Sequence, residues 1–174
     1  MQEILLDHYD LLLLDALQRN SDTTNADLSE AIHLSVSQIS RRRQRLEEEG
    51  IIAQFVAMLD QKTVGLGVTA FAHVLLESHS RAGPEAFANA ILAMPEILEC
   101  HSVSGDADYI LRIVAPDLDS FSDLMMNRIL HLPNVAHIKT SIALQTIKQT
   151  HILPLDHIPQ PRKKGRRVRF SGGG

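Results

Sequence analysis

Four arginines, Arg41, Arg42, Arg43 and Arg45, follow directly on Ser35, Ser37, Gln38 and Ser40. These side chains have a chemistry in common. Arginine offers a planar fork of donors to guanine, glutamine can pair with adenine, and each such bidentate contact discriminates bases by about 1–3 kcal/mol. If the segment is a helix lying in a DNA groove, Ser35, Ser37, Gln38, Ser40 and Arg41 fall in the N-terminal half that reaches base edges. Arg42 and Arg45 lie further along and suit phosphate, which positions a protein without reading sequence. The competing reading is a solvated basic face, since Arg43–Glu47 and Arg45–Glu49 stand four residues apart as helical ion pairs do.

A second group is Ser104, Gly105, Asp106, Ala107, Asp108 and Tyr109. The glycine is what a tight turn between strands requires. Beside a backbone-exposing loop, Asp106 and Asp108 could hold an ammonium while main-chain amides take a carboxylate; the competing reading is that both aspartates simply form the turn. The nine histidines suggest a third chemistry, metal binding. His73, His101 and His137, with Cys100, are its best candidates. Strand alternation puts Cys100 and His101 on opposite faces, and no paired-ligand spacing exists, so no metal site is expected.

The elements that would position these groups can be read from capping and periodicity. Asp7 caps a first helix through Asn20, with Leu13, Leu14 and Leu17 at helical spacing. Thr24 caps a second helix, with Asp27 in a variant capping box and Ala26, Leu28, Ala31 and Ile32 as its apolar contacts. His33-Leu34 make the turn, and Ser35 with Gln38 forms another capping box at the start of the arginine helix, which Gly50 stops. Ile39 and Leu46 share that helix's inner face. Residues 51–59 read as a strand or hairpin, a wing. Residues 60–67 are polar and then glycine-punctuated, and are expected to be a hinge between domains.

Beyond the hinge, strands alternate with helices. Strands are expected at 68–77, 97–104, 107–115 and 135–147. Helices are expected at 84–94, with Phe87 and Ile91 inward, and at 117–132, with Phe121, Met125 and Ile129 inward. This β-α-β-β-α-β order is the ferredoxin-like arrangement. Both helices cover one sheet face, so the other needs a partner, and dimerisation is expected. The fold class is therefore α+β, a winged helix-turn-helix domain over 1–59 and a ferredoxin-like domain over 68–153. The remaining 154–174 form a basic tail expected to be disordered.

Bulk composition limits the alternatives. The 174 residues are 44% hydrophobic and carry a formal net charge of −4. Six of the 17 basic residues lie in Arg162–Arg169, which has no acid, so residues 1–161 hold 11 basic against 21 acidic groups, a net −10. Such a chain does not coat DNA by bulk charge, and any DNA contact must be local. The tail reads equally as a phosphate-binding arm or a solubilising end. A lone cysteine, no apolar run long enough to cross a bilayer and no secretory leader point to the cytoplasm.

Taken together, LDHYDLLLLDALQRN, TNADLSEAIHLSVSQISRRRQRLEEEGII, ECHSVSGDADYILRI and HLPNVAHIKTSIALQTIK resemble the Lrp/AsnC (leucine-responsive/asparagine-responsive) family of transcription regulators. The resemblance covers residues 4 to 153. It implies an N-terminal DNA-binding domain and a small-molecule domain that dimerises and often assembles to tetramers or octamers. It also implies an amino-acid effector near Ser104, Gly105, Asp106, Asp108 and Tyr109, with no other cofactor. One departure stands out, because the position of Arg43 is usually aliphatic in the family.

The expected function is a sequence-specific regulator of transcription, binding double-stranded DNA and responding to an amino acid. An architectural DNA organiser is the alternative. Siroheme decarboxylases share the two-domain resemblance, but a catalytic role would need convergent His or Arg, and only His73, His101, His137 and Arg112 are available. The protein is therefore not expected to be an enzyme.

Overall fold

The computed structural model describes residues 5–77 and 82–159. These divide into two compact units, one formed by the chain up to Ala57 with the segment from Gln149 onward, the other by Met58–Lys148. The basic tail Arg162–Arg169 lies outside the described residues.

The first unit contains α1 (His8–Arg19), α2 (Asn25–Ile32) and α3 (Val36–Glu48). Each begins at the cap its sequence predicts. Asp7 and Asp10 form a reciprocal capping box on α1, and Ser35 and Gln38 form one on α3. The Thr24 side chain accepts from the Asp27 amide on α2. His33 adopts a left-handed conformation (φ 59°), turning the chain sharply between α2 and α3. The core is Leu13, Leu17, Leu28, Ile32, Ile39 and Leu46, all buried, with Leu14 packed against it. Ala26 and Ala31 are exposed instead of packing inward, because Leu28 and Ile32 take the inward stripe of this two-turn helix.

No strand forms over 51–59. The amides of Ile51 and Ile52 both donate to the Leu46 carbonyl, at 2.9 and 3.0 Å, and their side chains pack on the helical core. These residues finish α3 instead of starting a ladder. The rest of the segment has no strand beside it among the described residues. The expected wing is thus an irregular segment.

The second unit holds β1 (Val68–Leu76), α4 (Ala82–Leu92), β2 (Ile97–Ser102), β3 (Tyr109–Ala115), α5 (Leu118–Asn127), a 3-10 turn (Ile129–His131) and β4 (Val135–Ile142). The sheet order is β2-β3-β1-β4, with every neighbouring pair antiparallel, as the ferredoxin-like arrangement requires. Ala70, Ala72, Val74 and Leu76 of β1 alternate into a core shared with Phe87, Ile91, Leu111, Ile113, Phe121, Leu124 and Ile129. β2 and β3 each stop two residues short of expectation on the side of their connecting loop, and two other elements are shorter by several residues. The second helix ends at Asn127, because Arg128 leaves helical geometry and Ile129 reaches the core from the 3-10 turn. β4 ends at Ile142, opposite Ala70; the Ala143 amide still donates to the Thr69 carbonyl at 2.9 Å, and since β1 begins at Val68 nothing of it lies opposite residues 145–147. Leu144 and Ile147 are 99% and 83% exposed.

The expected hinge is folded against this second unit. The Gln61 side-chain amide donates to the Leu66 carbonyl and to Thr69 Oγ1, both at 2.9 Å. The Gly67 amide donates to the Pro116 carbonyl at 3.0 Å. A Cβ at Gly67 would lie 2.8 Å from that oxygen, so glycine alone permits the approach. At the other end, the segment from Gln149 onward groups with the helical unit. Gln18 clamps it there, donating to the Leu153 carbonyl at 3.0 Å and accepting from its amide at 2.9 Å.

Candidate DNA-reading face and effector loop

The four arginines of α3 have different fates. Asp10, on α1, is fully buried. Its two carboxylate oxygens meet Arg42 Nη1 and Arg45 Nη2, each at 2.6 Å. Arg42 also bridges to Asp7 at 2.8 Å and lies 5.6 Å from the Tyr9 ring centroid. Arg43 turns away, with its guanidinium 4.4 Å over the Phe55 ring and Glu47 3.4 Å from its Nε. Its unusual position is therefore served by a cation–π contact with the irregular segment after α3. Arg41 is exposed and makes no ion pair among the described residues.

A buried carboxylate must be paired, because an isolated buried charge costs several kcal/mol. Asp10 thus ties α1 to α3 through two arginines expected from sequence to neutralise phosphate, and that tie competes with any DNA contact. Burial draws the Asp7 carboxyl upward, but the Arg42 hydrogen bond, the Asp10 amide and the Arg42 charge outweigh it and hold Asp7 below the usual carboxylate range.

The outer surface of α3 presents Val36, Ser37, Ser40 and Arg41, all exposed. Ser35 and Gln38 lie beside them but are occupied. The Gln38 carbonyl oxygen accepts from the Ser35 amide at 3.0 Å and from its hydroxyl at 2.9 Å. Bidentate pairing with adenine needs both ends of the glutamine amide, so the capping box leaves Gln38 with only its NH₂ to offer. Asp7, Gln38, Arg41, Arg42 and Arg45 line a polar concavity of about 280 Å³. Two features escaped sequence reasoning. Val36 is 49% exposed, an apolar side chain suited to a thymine methyl. The Asp10 anchor was hidden because a carboxylate in a first helical turn reads as a capping-box partner, which it also is.

In the loop between β2 and β3, Asp106 and Asp108 separate clearly. Asp108 accepts from the Leu76 amide through its side chain at 2.8 Å. Its own amide donates to the Val74 carbonyl, and its carbonyl accepts from the Val103 amide. It closes the β1–β3 edge, a structural duty the ammonium-binding reading did not foresee. Ser104, Gly105 and Asp106 are exposed. Gly105 has φ +132°, a conformation L side chains rarely adopt. The Tyr109 ring packs on Phe87 with centroids 4.8 Å apart, on the helix side of the sheet. The loop therefore offers Ser104, the Gly105 backbone and Asp106.

The sheet face away from the helices carries Phe71 and Leu75, 39% and 40% exposed, with His73, Lys139 and His137 in register beside them. On its β2 side Arg112 lies 2.7 Å from Glu99 and holds that carboxyl below its ordinary range, helped by a contact to His101. Cys100 pairs with Leu111 and His101 with Ile110, so the two do point oppositely. His73 and His101 both pair with Ile110, which separates them by a full strand. Among the described residues no three His, Cys, Asp or Glu side chains come together as a metal site.

Comparison with known proteins gives the same order of a helical unit followed by an α/β unit. Residues 6–53 match the winged helix-turn-helix DNA-binding family, and residues 69–153 match the Lrp/AsnC ligand binding domain. The chain is 34% identical to the transcriptional regulator AzlB of Bacillus subtilis, over 89% of this chain and 99% of that protein. It is 35% identical to the leucine-responsive regulatory protein of Haemophilus influenzae, over 86% of this chain and 90% of that one. Among solved structures, a transcriptional regulator from Neisseria meningitidis in complex with L-Met superposes with a TM-score of 0.86 at 35% identity, covering 89% of this chain and all of that one. With its helix-turn-helix unit followed by a four-stranded ligand-binding α/β unit, the chain belongs to the Lrp/AsnC family of transcriptional regulators.

Proposed function

We propose that this protein binds a specific double-stranded DNA sequence through Val36, Ser37, Ser40 and Arg41, and that an amino acid bound at the Ser104–Asp106 loop changes its DNA affinity or assembly. The observation that carries the reading is the exposed outer face of α3, started by a reciprocal capping box, whose Arg41 makes no ion pair among the described residues. Arg42 and Arg45 act first as struts to Asp10, and Arg45, its side chain 40% exposed, adds positive field toward phosphate. Ser35 and Gln38 hold the helix start. In the loop, Asp106 meets the effector ammonium and the Ser104–Gly105 backbone its carboxylate, while Asp108 and Tyr109 hold the loop's base. The neighbour crystallised with L-Met supports an apolar amino acid as effector.

Two reading heads are needed for a two-fold site, and the open sheet face with Phe71 and Leu75 supplies the surface on which two copies pair. An effector shifts such a system only if it binds one state better than another. The role is regulatory, not catalytic.

The test is selection of a DNA sequence from a random pool, followed by binding titrations with each of the twenty amino acids and thermal shift of the free protein. A selected motif, with one or more amino acids raising the melting point and altering DNA affinity, is expected. Failure to enrich any sequence would refute the DNA half. Absence of any shift at millimolar amino acid would refute the effector half.

A further inference from the structure

The second unit contains a cleft of about 440 Å³ at the opposite end of the β2–β3 pair from the effector loop. In register terms it lies beside Ile97↔Ile113, whereas the loop lies beyond Ser102↔Tyr109. At about 3.3 Å per residue the two are on the order of 15–20 Å apart along the strands. The volume is in the range that holds a small ligand.

Its lining is two-sided. Leu66, Leu98, Val114, Pro116 and Leu124 give an apolar wall, and the register shift between Ile97 and Glu99 is where Leu98 joins it. The polar side is Glu96 and Arg128, with Ser120 and Asp123 from α5. Glu96 Oε1 accepts from Arg128 Nη1. Glu96 Oε2 is itself shielded, on a side chain 33% exposed as a whole, and has no hydrogen-bond partner among the described residues. A shielded carboxylate oxygen without a donor is costly, and native structures rarely leave one so. With Glu96 and Asp123 against one Arg128, the cleft also carries one more negative than positive charge. Both facts call for a cationic donor, and the apolar wall calls for an aliphatic body attached to it.

We infer that this cleft is a second ligand site, separate from the effector loop, that takes an aliphatic primary ammonium, with the ammonium donating to Glu96 Oε2 and the aliphatic chain lying on Leu98, Val114 and Leu124. An aliphatic α-amino acid and a simple alkylamine share this chemistry. They differ in whether a carboxylate reaches the exposed part of the Arg128 guanidinium.

The test is calorimetric titration of the full chain with L-leucine, with isoamylamine and with 4-methylpentanoate, in the wild type and in Asp106→Asn, Glu96→Gln and Ser120→Phe. Asp106→Asn addresses the loop alone. Ser120 is exposed at the cleft rim, so Ser120→Phe fills the cleft without entering the core. The expected result is a site for leucine or isoamylamine that survives Asp106→Asn, weakens about tenfold or more in Glu96→Gln, and vanishes in Ser120→Phe, while 4-methylpentanoate leaves it empty. Leucine binding there without isoamylamine would identify the ligand as an amino acid, and binding by both would identify it as any aliphatic amine. Ammonium binding that is unchanged by both cleft variants, or 4-methylpentanoate binding as well as leucine, overturns the inference. So does the absence of any site that survives Asp106→Asn. Loss of the loop site alone leaves the cleft result standing, so the two readings fail separately.

Discussion

Asp10→Asn is the sharpest perturbation of the helical unit, because one buried carboxylate holds two arginines of α3. The change is isosteric, so packing is kept and only the charge and one acceptor are lost. Each arginine contact, at 2.6 Å, is a charge-assisted hydrogen bond to a side chain with no exposure. Such bonds contribute about 1.5–3 kcal/mol each. Breaking a buried pair by removing one partner costs about 3–5 kcal/mol, and the 24% and 40% exposure of the Arg42 and Arg45 side chains puts this case at the lower end. In a unit of this size, each kcal/mol lowers the melting temperature by roughly 4–8 °C. The helical unit of Asp10→Asn should therefore melt more than about 10 °C below wild type, followed by far-UV circular dichroism. Asp15→Asn, which removes the exposed Asp15–Arg19 pair, serves as control and should leave the melt in place. Replacing the whole triad, Asp10→Leu with Arg42→Met and Arg45→Leu, should recover most of the loss, because an apolar core substitutes for a buried ionic one. A melt of Asp10→Asn within about 2 °C of wild type would refute the anchoring role.

Three further outcomes follow from the same geometry. Asp108→Ala strips the Leu76 amide of its acceptor and should cost the α/β unit about 1–3 kcal/mol in urea unfolding, while Asp106→Ala should leave its stability unchanged and reduce only effector binding. Gly67→Ala puts a methyl 2.8 Å from the Pro116 carbonyl oxygen, where the backbone must yield, and should cost about 1–3 kcal/mol by the same assay. Asp7 and Glu99 both have carboxyl pKa values lowered by folding. Their contribution is therefore present above the unfolded carboxylate pKa and lost as pH falls through the folded values, so the chain should lose stability below about pH 4, and Asp7→Asn should flatten that acid limb for the helical unit.

Local signals located most of the fold. Asp7, Thr24 and Ser35 marked three helix starts because a cap acts within one turn and needs no distant partner. The β-α-β-β-α-β order was legible from alternation and from Pro, Gly and Asn breaks. What depended on distant neighbours was less visible. The end of β4 depends on the pairing it finds with β1, and the 51–59 segment lacks a strand beside it among the described residues, neither of which is written locally. The recognition arginines show the same limit. Their spacing identifies a basic helix and sets Arg41 apart from Arg42 and Arg45, yet only the approach of Asp10 from α1 ties the latter two into ion pairs. Asp106 and Asp108, two residues apart in one turn, look alike in sequence, and only the Leu76 amide tells them apart.

The central claim is that Arg41 is the arginine of α3 left free to read DNA, while Arg42 and Arg45 hold the helix in place. Fluorescence anisotropy on the DNA sequence selected from a random pool, run beside a thermal melt, tests it directly with Arg41→Ala and Arg42→Ala. The account predicts that Arg41→Ala loses about 1–3 kcal/mol of binding, roughly 5- to 150-fold, with an unchanged melt, whereas Arg42→Ala lowers the melt of the helical unit. Full DNA affinity in Arg41→Ala would contradict it.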